Sequence, residues 1–424
     1  MVPMDTLSNE HQHRHYQKRL IIYVIGVSFG SVSFGYASAI IATTLGQPSF
    51  IEYMNIGEDR HNASSIIGAM NALFYAGGFF GSVFNSWYVD RFGRKSSIIT
   101  SCLLMIVSAA LCSGSVDITM FIVFRFFTGW SCLMLLISVP LWITEVAPPK
   151  GRGIMANIHA LMAVLGYVLA SWVGVGFFFY QNGSRNQWRA PLAFACLPPL
   201  ITLGFTFVVP ESPRYLLMRD RHDEALKILR SLHHNSKENN DHYAVGEYQQ
   251  MKQQHDLDRS LDSSWRILVT RPSYRKRVLI ACSLLTFIYS SGTLTVSNYG
   301  PTLFAELGYT APRSLYFQGG IVLVSSLALS ISFFVVDRIP RNIILATGMI
   351  AVAIPLALEA ARVAEFLNTD NKSGLAAGVA FLYLYIFIYG MAYSWMAQAI
   401  SMQMKYSPHT SERKALCAAS PLTA

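Results

Sequence analysis

Charged residues repeat one pattern at two places in this chain. Residues 90–95 read DRFGRK and residues 337–342 read DRIPRN, and each run follows an apolar stretch. Guanidinium groups and carboxylates at helix ends can form ion pairs, and such pairs can break when the helices move. One copy alone would be equally consistent with a solvated turn. Two copies at the same point in a series of apolar runs indicate that the two halves of the chain repeat each other.

The other reactive residue types form no catalytic pattern. Candidate acids, bases and nucleophiles are scattered, and the sequence has no motif for a metal, a phosphate or a nucleotide. The six cysteines lie mainly in apolar segments without metal-ligand spacing, which favours small buried side chains over a disulfide framework. The sequence therefore predicts that the protein is not an enzyme and binds neither a cofactor nor a metal.

Composition and spacing predict a membrane protein. Of the 424 residues, 52% are hydrophobic and only 13% are charged. The apolar runs reach about 20 residues, which is the length that spans a bilayer. Ten such segments lie at residues 20–46, 65–89, 97–117, 119–143, 154–180, 188–209, 278–304, 315–337, 343–364 and 375–400. We predict an all-α, polytopic membrane protein.

These segments divide the chain into five regions. We predict a cytoplasmic tail (1–19), a six-helix bundle (20–209), a cytoplasmic loop with short helices (210–277), a second bundle of four spans (278–400) and a cytoplasmic C-terminal segment (401–424). Within the loop, residues 221–232 carry an apolar stripe at helical spacing, which predicts an amphipathic helix. Residues 237–262 are polar and lack clear periodicity, which is typical of a linker.

The distribution of basic residues predicts the orientation in the membrane. Basic residues at the span ends fall on one side if the spans alternate, and that side should be the cytoplasm. The net charge of +9 then reflects topology and not a nucleic-acid surface. Three N-glycosylation acceptors, Asn62, Asn182 and Asn371, fall on the opposite side. The sequence shows no cleavable signal peptide, so we expect the first span to act as the insertion signal. The basic residues and the acceptor sites together predict that both termini lie in the cytoplasm.

A set of motifs in a fixed order allows a family to be named. The chain resembles the sugar porter family of the major facilitator superfamily, and most closely its fungal members, over about residues 20–410. The motifs are Gly81 with residues 90–95, Arg125 with Gly129, Pro140 with Trp142, Glu145 and Pro148, Arg152-Gly153, Trp188-Arg189, residues 210–216, Gly292 with Pro301, and Asp337-Arg338. The resemblance implies two pseudo-symmetric helix bundles around a central solute pathway, which opens alternately to either side.

The resemblance also implies a cytoplasmic gate built from charges at the helix ends. The residues expected in it are Asp90, Arg91, Arg94, Glu145, Arg152, Glu211, Arg214, Asp337 and Arg338. The alternative is that these charges only anchor the helix ends at the interface. The second copy of the motif is the weaker one, because Pro340 stands where the family usually has glycine.

The expected solute pathway departs from its family. Sugar porters typically hold a hydroxylated ring with amide side chains and aromatic rings. Here Ala160, Ile288 and Leu294 stand where such amides are expected. Large polar groups are costly in lipid and tend to face a wet interior. The pathway residues that we predict instead are His159, Tyr167, Tyr289, Asn298, Trp395, Gln398 and Arg125.

Energy coupling depends on one position in the first span. In proton-coupled sugar porters an aspartate follows the Phe-Gly-Tyr motif and pairs with the arginine of the fourth span. Here Ala37 follows that motif, whereas Arg125 is present. Facilitated diffusion is therefore the simpler interpretation. In the alternative, Arg125 supports packing or binds the substrate directly, for instance an anionic one.

The predicted function is transport of a sugar or a similar polyhydroxylated solute across the plasma membrane. The expected partners are this small-molecule substrate and the lipid bilayer, with no nucleic acid. Because the family has twelve spans and ten are predicted here, a truncated product that needs a partner subunit or an oligomer is a further expectation. The alternatives are a non-transporting nutrient sensor, an inactive paralogue on the same scaffold, and a transporter of another organic solute.

Overall fold

The computed structural model describes residues 18–56, 60–148, 152–180, 186–233, 242–260, 290–335, 341–366 and 376–391, together with isolated residues between 272 and 286. Helices are the only regular elements in these ranges. Seven of the described helices are long and apolar enough to cross a membrane. The predicted all-α, polytopic membrane fold is therefore confirmed.

The first half contains six membrane-length elements. They are α1 (Lys18–Leu45), α3 (Arg60–Phe92), α4 (Arg94–Ser113), α5 (Ile118–Val146), α6 (Arg152–Phe178) and the pair α7 (Asn186–Phe194) and α8 (Leu197–Val208), with the short α2 (Pro48–Tyr53) after α1. The pair α7–α8 forms a single span, Asn186–Val208. It is interrupted next to Pro198 and Pro199, which lack N–H groups and lie in the first turn of α8.

The remaining helices are shorter or come from the second half. They are α9 (Pro213–Met218), α10 (His222–His233), α11 (His242–Ser260), α12 (Thr293–Glu306), α13 (Ala311–Val335), α14 (Arg341–Phe366) and α15 (Ala376–Met391). Helix α13 is the seventh membrane-length helix. Helix α12 begins after Gly292, whose φ of 90° is left-handed and suits a residue without a Cβ. The side chains of Phe304, Leu382 and Tyr385 are buried together in this half.

Close backbone contacts hold the first bundle together. A Cβ added to Gly77 of α3 would lie 2.0 Å from the carbonyl oxygen of Phe126, and one added to Gly129 of α5 would lie 1.9 Å from that of Phe74. Neither position can hold a larger residue unless the helices separate. Small residues permit this approach where lipid gives little hydrophobic drive for association.

The loop between the two halves is more helical than the sequence predicted. The expected amphipathic helix is present as α10, with Ala225 and Leu229 buried. The interpretation of residues 237–262 as a linker was wrong for most of its length, because α11 occupies His242–Ser260. Ala244 and Met251, one helical stripe in a polar sequence, pack against α9 and α10. The buried stripe consists only of Ala244, Met251 and the partly buried Tyr248, which is too few residues in 19 to show a clear periodicity.

The two halves meet at one end of the molecule. We call the end that holds Arg94 and Glu145 the charged end, and the end that holds Leu45 and Ser113 the opposite end. At the opposite end a Cβ added to Gly46 would lie 2.9 Å from Leu315 Cδ2 and 3.0 Å from Pro301 Cβ. Helices α1, α12 and α13 are therefore in close contact across the boundary between the halves at this end.

Several predicted features lie outside the described residues. Asn62 is in the first turn of α3, but its side chain is outside the described part, as are Asn182 and Asn371. Of the cysteines, Cys102, Cys112 and Cys132 are free and buried, and Cys196 is free and half-buried, while residues 282 and 417 are not described.

Candidate functional site

A buried ion pair lies at the charged end of the first bundle. Arg94 is the first residue of α4 and Glu145 is the last but one of α5, so these antiparallel helices bring the two together. Arg94 Nη2 lies 2.9 Å from Glu145 Oε1. Arg94 Nε lies 2.8 Å from Glu145 Oε2, and the two side chains are only 6% and 3% exposed. The Ser212 hydroxyl donates a further hydrogen bond to Glu145. Both oxygens of this buried carboxylate are therefore satisfied.

Glu211 has a different task from the ion pairing that the sequence predicted. Its Oε1 accepts hydrogen bonds from the backbone N–H groups of Arg94 at 3.2 Å and Lys95 at 3.1 Å. It thereby caps the N-terminus of α4, where such donors lack helical partners. The preceding Gly93 has a φ of 98°, and a Cβ there would lie 2.5 Å from Glu211 Oε2. Burial raises the pKa of Glu211, while these backbone donors and the Arg94 guanidinium oppose that rise.

The start of α4 also forms hydrogen bonds with the end of α8. Lys95 Nζ donates to the carbonyl oxygens of Phe207 at 3.1 Å and Val209 at 2.9 Å. Trp142 Nε1 donates to the carbonyl oxygen of Pro210 at 3.1 Å. An ammonium group at a helix C-terminus satisfies carbonyls that have no helical donor. The charged turn therefore ties α4, α5 and α8 together.

Arg91 contributes its backbone and not its charge to the described contacts at this end. Its carbonyl oxygen accepts hydrogen bonds from the Arg219 guanidinium and, at 3.3 Å, from the Tyr215 hydroxyl. The Tyr215 ring also lies under the Arg94 guanidinium, with 5.6 Å between its centroid and Cζ. Arg214 donates to Gln254 Oε1 of α11 at 3.0 Å. Tyr215 and Arg219 were missed because they are more than 120 residues from their acceptor.

The remaining predicted gate residues are only partly placed. Asp90 lies in the last turn of α3 and is half-buried. Arg152 begins α6, but its side chain is outside the described part of the chain, and Asp337 and Arg338 are outside it altogether. The second copy of the charged motif therefore stays a prediction.

A neutral polar cluster lies beside the ion pair. Asn85, Ser97 and Ser138 come from α3, α4 and α5 and are all buried. Ser97 Oγ donates to Asn85 Oδ1 at 2.6 Å, and Asn85 Nδ2 donates to Ser138 Oγ at 3.0 Å. This cluster could not be predicted from the sequence, because lone serine and asparagine residues give no spacing signal.

Arg125 is a second buried cation, in the interior of the first bundle. Its side chain is 2% exposed, its Nη1 donates to the Ala37 carbonyl oxygen at 3.0 Å, and its Cζ lies 4.4 Å from the centroid of the Phe74 ring. Among the described residues no carboxylate forms a salt bridge with it. In proton-coupled sugar porters an aspartate is expected to pair with this arginine. Here a backbone carbonyl oxygen and the face of an aromatic ring contact it instead.

His159 and Tyr167 both lie at the contact of α6 with α1. His159 Nδ1 is 2.5 Å from the Ser31 hydroxyl. The Tyr167 ring meets the Phe34 ring edge to face, with 6.3 Å between centroids. Each of these predicted pathway residues has a partner inside the first bundle.

Asn298 connects the two halves. Its Nδ2 donates to the hydroxyl of Tyr75 at 3.1 Å, so that a hydrogen bond joins α12 to α3. The other predicted pathway residues of the second half, Tyr289, Trp395 and Gln398, lie outside the described residues.

A cavity of about 590 Å³ lies between the halves at the opposite end. It is lined by the end of α1, by α2 and α3, and by α12 and α13. Glu52 and Asn55 give it a polar edge, and Ile67, Pro301 and Ala311 line its apolar walls. Its volume is within the range of small-molecule sites.

The family follows from comparison with known proteins. The profile of the family described as "Sugar (and other) transporter" matches residues 23–417, nearly the whole chain. The chain belongs to this family. The resemblance to sugar porters predicted from the motifs is confirmed, and the protein is a multi-pass integral membrane transporter of the major facilitator superfamily. Since the family consists of transporters and not of enzymes, the non-enzymatic interpretation is also supported.

The similar proteins include fungal transporters and a bacterial sugar transporter. The MFS-type transporter criB of Aspergillus cristatus is 29% identical over 358 residues, which cover 84% of this chain and 75% of that protein. A quinate permease of Neurospora africana is 28% identical and covers 89% and 73% of the two chains. The partially occluded, inward-open structure of the xylose transporter XylE from E. coli superposes with a TM-score of 0.77 at 20% identity, over 96% of this chain and 90% of that one. The structural likeness establishes the fold.

Removing one partner of the buried ion pair should destabilise the protein strongly. Glu145→Gln leaves the Arg94 charge buried without its counter-ion, which typically costs about 3–5 kcal/mol. The control is Glu224→Gln, which breaks the exposed Arg221–Glu224 pair and should change little. The measurement is the melting temperature of the purified protein in detergent. Equal shifts in the two variants would contradict the importance given to the buried pair.

Proposed function

We propose that the protein carries a sugar or a similar polyhydroxylated solute down its gradient, through a pathway between its two helix bundles. The observation that carries this proposal is the arrangement at the two ends. At the opposite end, α12 and α13 pack against α1 at the wall of a cavity of about 590 Å³. At the charged end, ion pairs and caps hold the helix ends of the first bundle. Alternating access requires two such ends that can open in turn.

Uncoupled transport is supported by the surroundings of Arg125. A proton can drive transport when it neutralises a carboxylate that is paired with a buried cation, because this changes the balance between conformations. The described partners of Arg125 are the Ala37 carbonyl oxygen and the Phe74 ring, and neither titrates. These contacts support the proposal of a facilitative carrier.

A hydroxylated carboxylic acid is the second candidate solute. Two quinate permeases are among the similar proteins, at 28% identity. Quinate combines several hydroxyl groups with one carboxylate, so the polar side chains proposed for a sugar would suit most of its surface. The buried positive charge of Arg125 would favour the anion.

The proposed location is the plasma membrane, with the charged end and both termini in the cytoplasm. Basic residues at the charged end, among them Arg91, Arg94 and Lys95, support this orientation. Asn62 begins α3 at the opposite end, where glycosylation would occur.

Uptake of labelled hexoses, pentoses, polyols, disaccharides and quinate into carrier-deficient cells tests the solute. We expect saturable uptake of at least one sugar or polyol, which stops when the inner and outer concentrations are equal. Asn298→Ala should change the ranking of solutes, whereas Glu145→Gln should lower uptake of all of them alike. Uptake of quinate alone would replace the first candidate by the second. An absence of uptake from the well-expressed protein would refute the proposal.

Protease protection tests the orientation. Protease added to intact cells should leave the α9–α11 segment uncut, and permeabilisation should expose it. Asn62→Gln should remove a glycan and increase the electrophoretic mobility of the protein. Cleavage of that segment in intact cells would reverse the proposed topology.

A further inference from the structure

We propose that Tyr75 and Asn298 form a latch that closes the solute pathway toward the opposite end, and that the same two side chains contact the solute when the latch is open. This inference rests on the proposed function. It adds Tyr75, a residue that the motifs did not indicate, to the residues that select the solute.

The latch is a hydrogen bond between parts that must move relative to each other. Asn298 Nδ2 of α12 lies 3.1 Å from the hydroxyl of Tyr75 in α3. Asn298 is only 5% exposed, so its amide has little access to water in this conformation. A rocking motion of the bundles that opened the opposite end would separate α3 from α12 and break this bond.

The first bundle fixes the position of the Tyr75 ring. Tyr75 packs edge to face on Phe74, with 5.3 Å between the ring centroids. Phe74 in turn lies under the guanidinium group of Arg125. The phenol is therefore held in place on its own side, and its hydroxyl reaches across to the second bundle.

The latch lies farther from the opposite end than the residues that line the cavity. Pro301 and Thr302, which line the cavity, are one helical turn from Asn298 on α12. On α3 the cavity-lining Ile67 precedes Tyr75 by eight residues, or about 12 Å along the helix. Both helices therefore place the hydrogen-bonded pair deeper than the cavity wall. A solute that entered the cavity would meet this pair next.

An opened latch leaves two polar groups that need partners. An unpaired buried donor or acceptor is costly, so each group must find water or solute. The Asn298 amide can donate and accept, as can the Tyr75 hydroxyl. The flat face of the phenol can also cover the apolar face of a sugar ring. These are the features that hold a polyhydroxylated ring, so the opened latch is suited to the proposed solute.

The strength of one hydrogen bond sets the size of the effect. A typical intramolecular hydrogen bond changes an equilibrium by about twofold to tenfold. Its loss should therefore shift the population toward conformations that are open at the opposite end, without unfolding the protein.

Labelling of a cysteine placed beyond the latch measures this shift. Leu294 of α12 is half-buried and lies one helical turn from Asn298, on the side away from the cavity. Leu294→Cys should therefore react with an impermeant maleimide added at the opposite end only when the latch is open. Adding Tyr75→Phe should speed its labelling by about twofold to tenfold. Asn298→Ala should do the same, and the double variant should show no further increase, because both changes remove one bond. Protein without Leu294→Cys gives the background from the native cysteines.

Tyr36→Phe is the matched control. Its hydroxyl donates to the Pro191 carbonyl oxygen at 2.7 Å, inside the first bundle, so this variant loses a phenol hydrogen bond that does not cross between the bundles. It should leave the labelling rate unchanged. Equal rates in Tyr75→Phe and Tyr36→Phe would overturn the latch.

Uptake kinetics test contact with the solute. Tyr75→Phe should alter KM by different factors for different solutes, whereas Tyr36→Phe should not. Faster labelling with an unchanged ranking would refute solute contact by Tyr75. Because labelling needs no transported solute, it decides the latch even if the proposed function fails.

Discussion

The cost of burying a charged side chain in a membrane protein must be offset by other groups of the protein. The first bundle is organised around two such charges. Arg94 has a carboxylate partner, Glu145, which joins α4 to α5 and receives a hydrogen bond from Ser212. Arg125 instead meets a carbonyl oxygen and an aromatic ring. Both sites are buried, but they differ in one respect: the first can change its contacts when helix ends move, and in the second no described carboxylate forms a salt bridge with the arginine.

The two sites therefore fit different parts of an alternating-access cycle. The pair at the charged end is surrounded by contacts from α8 and α9, so motion of these elements changes its environment. Arg125 supports the Phe74 ring and through it the position of Tyr75, which faces the second bundle. A charge with a fixed protonation state can thus serve as a structural support beside the proposed pathway, which is compatible with the uncoupled transport proposed above.

The sequence predicted the helices of the first bundle well, because runs of about 20 apolar residues have few alternatives in a bilayer. Motifs at helix ends also indicated that Arg94 and Glu145 belong to a set of gate charges, but not that these two pair with each other. The sequence did not reveal that Glu211 caps α4 through backbone donors, nor that Tyr75 reaches Asn298. Both depend on side-chain directions between segments more than 100 residues apart, which periodicity does not encode. Helix α11 was missed for another reason, since its apolar stripe consists of very few residues.

The most direct test of this account is whether solute movement carries protons. Purified protein would be reconstituted into liposomes that contain a pH-sensitive dye, and a gradient of the transported solute would be applied in the absence of a pH gradient. We expect solute to equilibrate while the internal pH stays constant, and a protonophore to leave the rate unchanged. A change of internal pH that follows the solute gradient, and that disappears in liposomes without protein, would show that a titrating group is coupled to transport and would refute uncoupled transport.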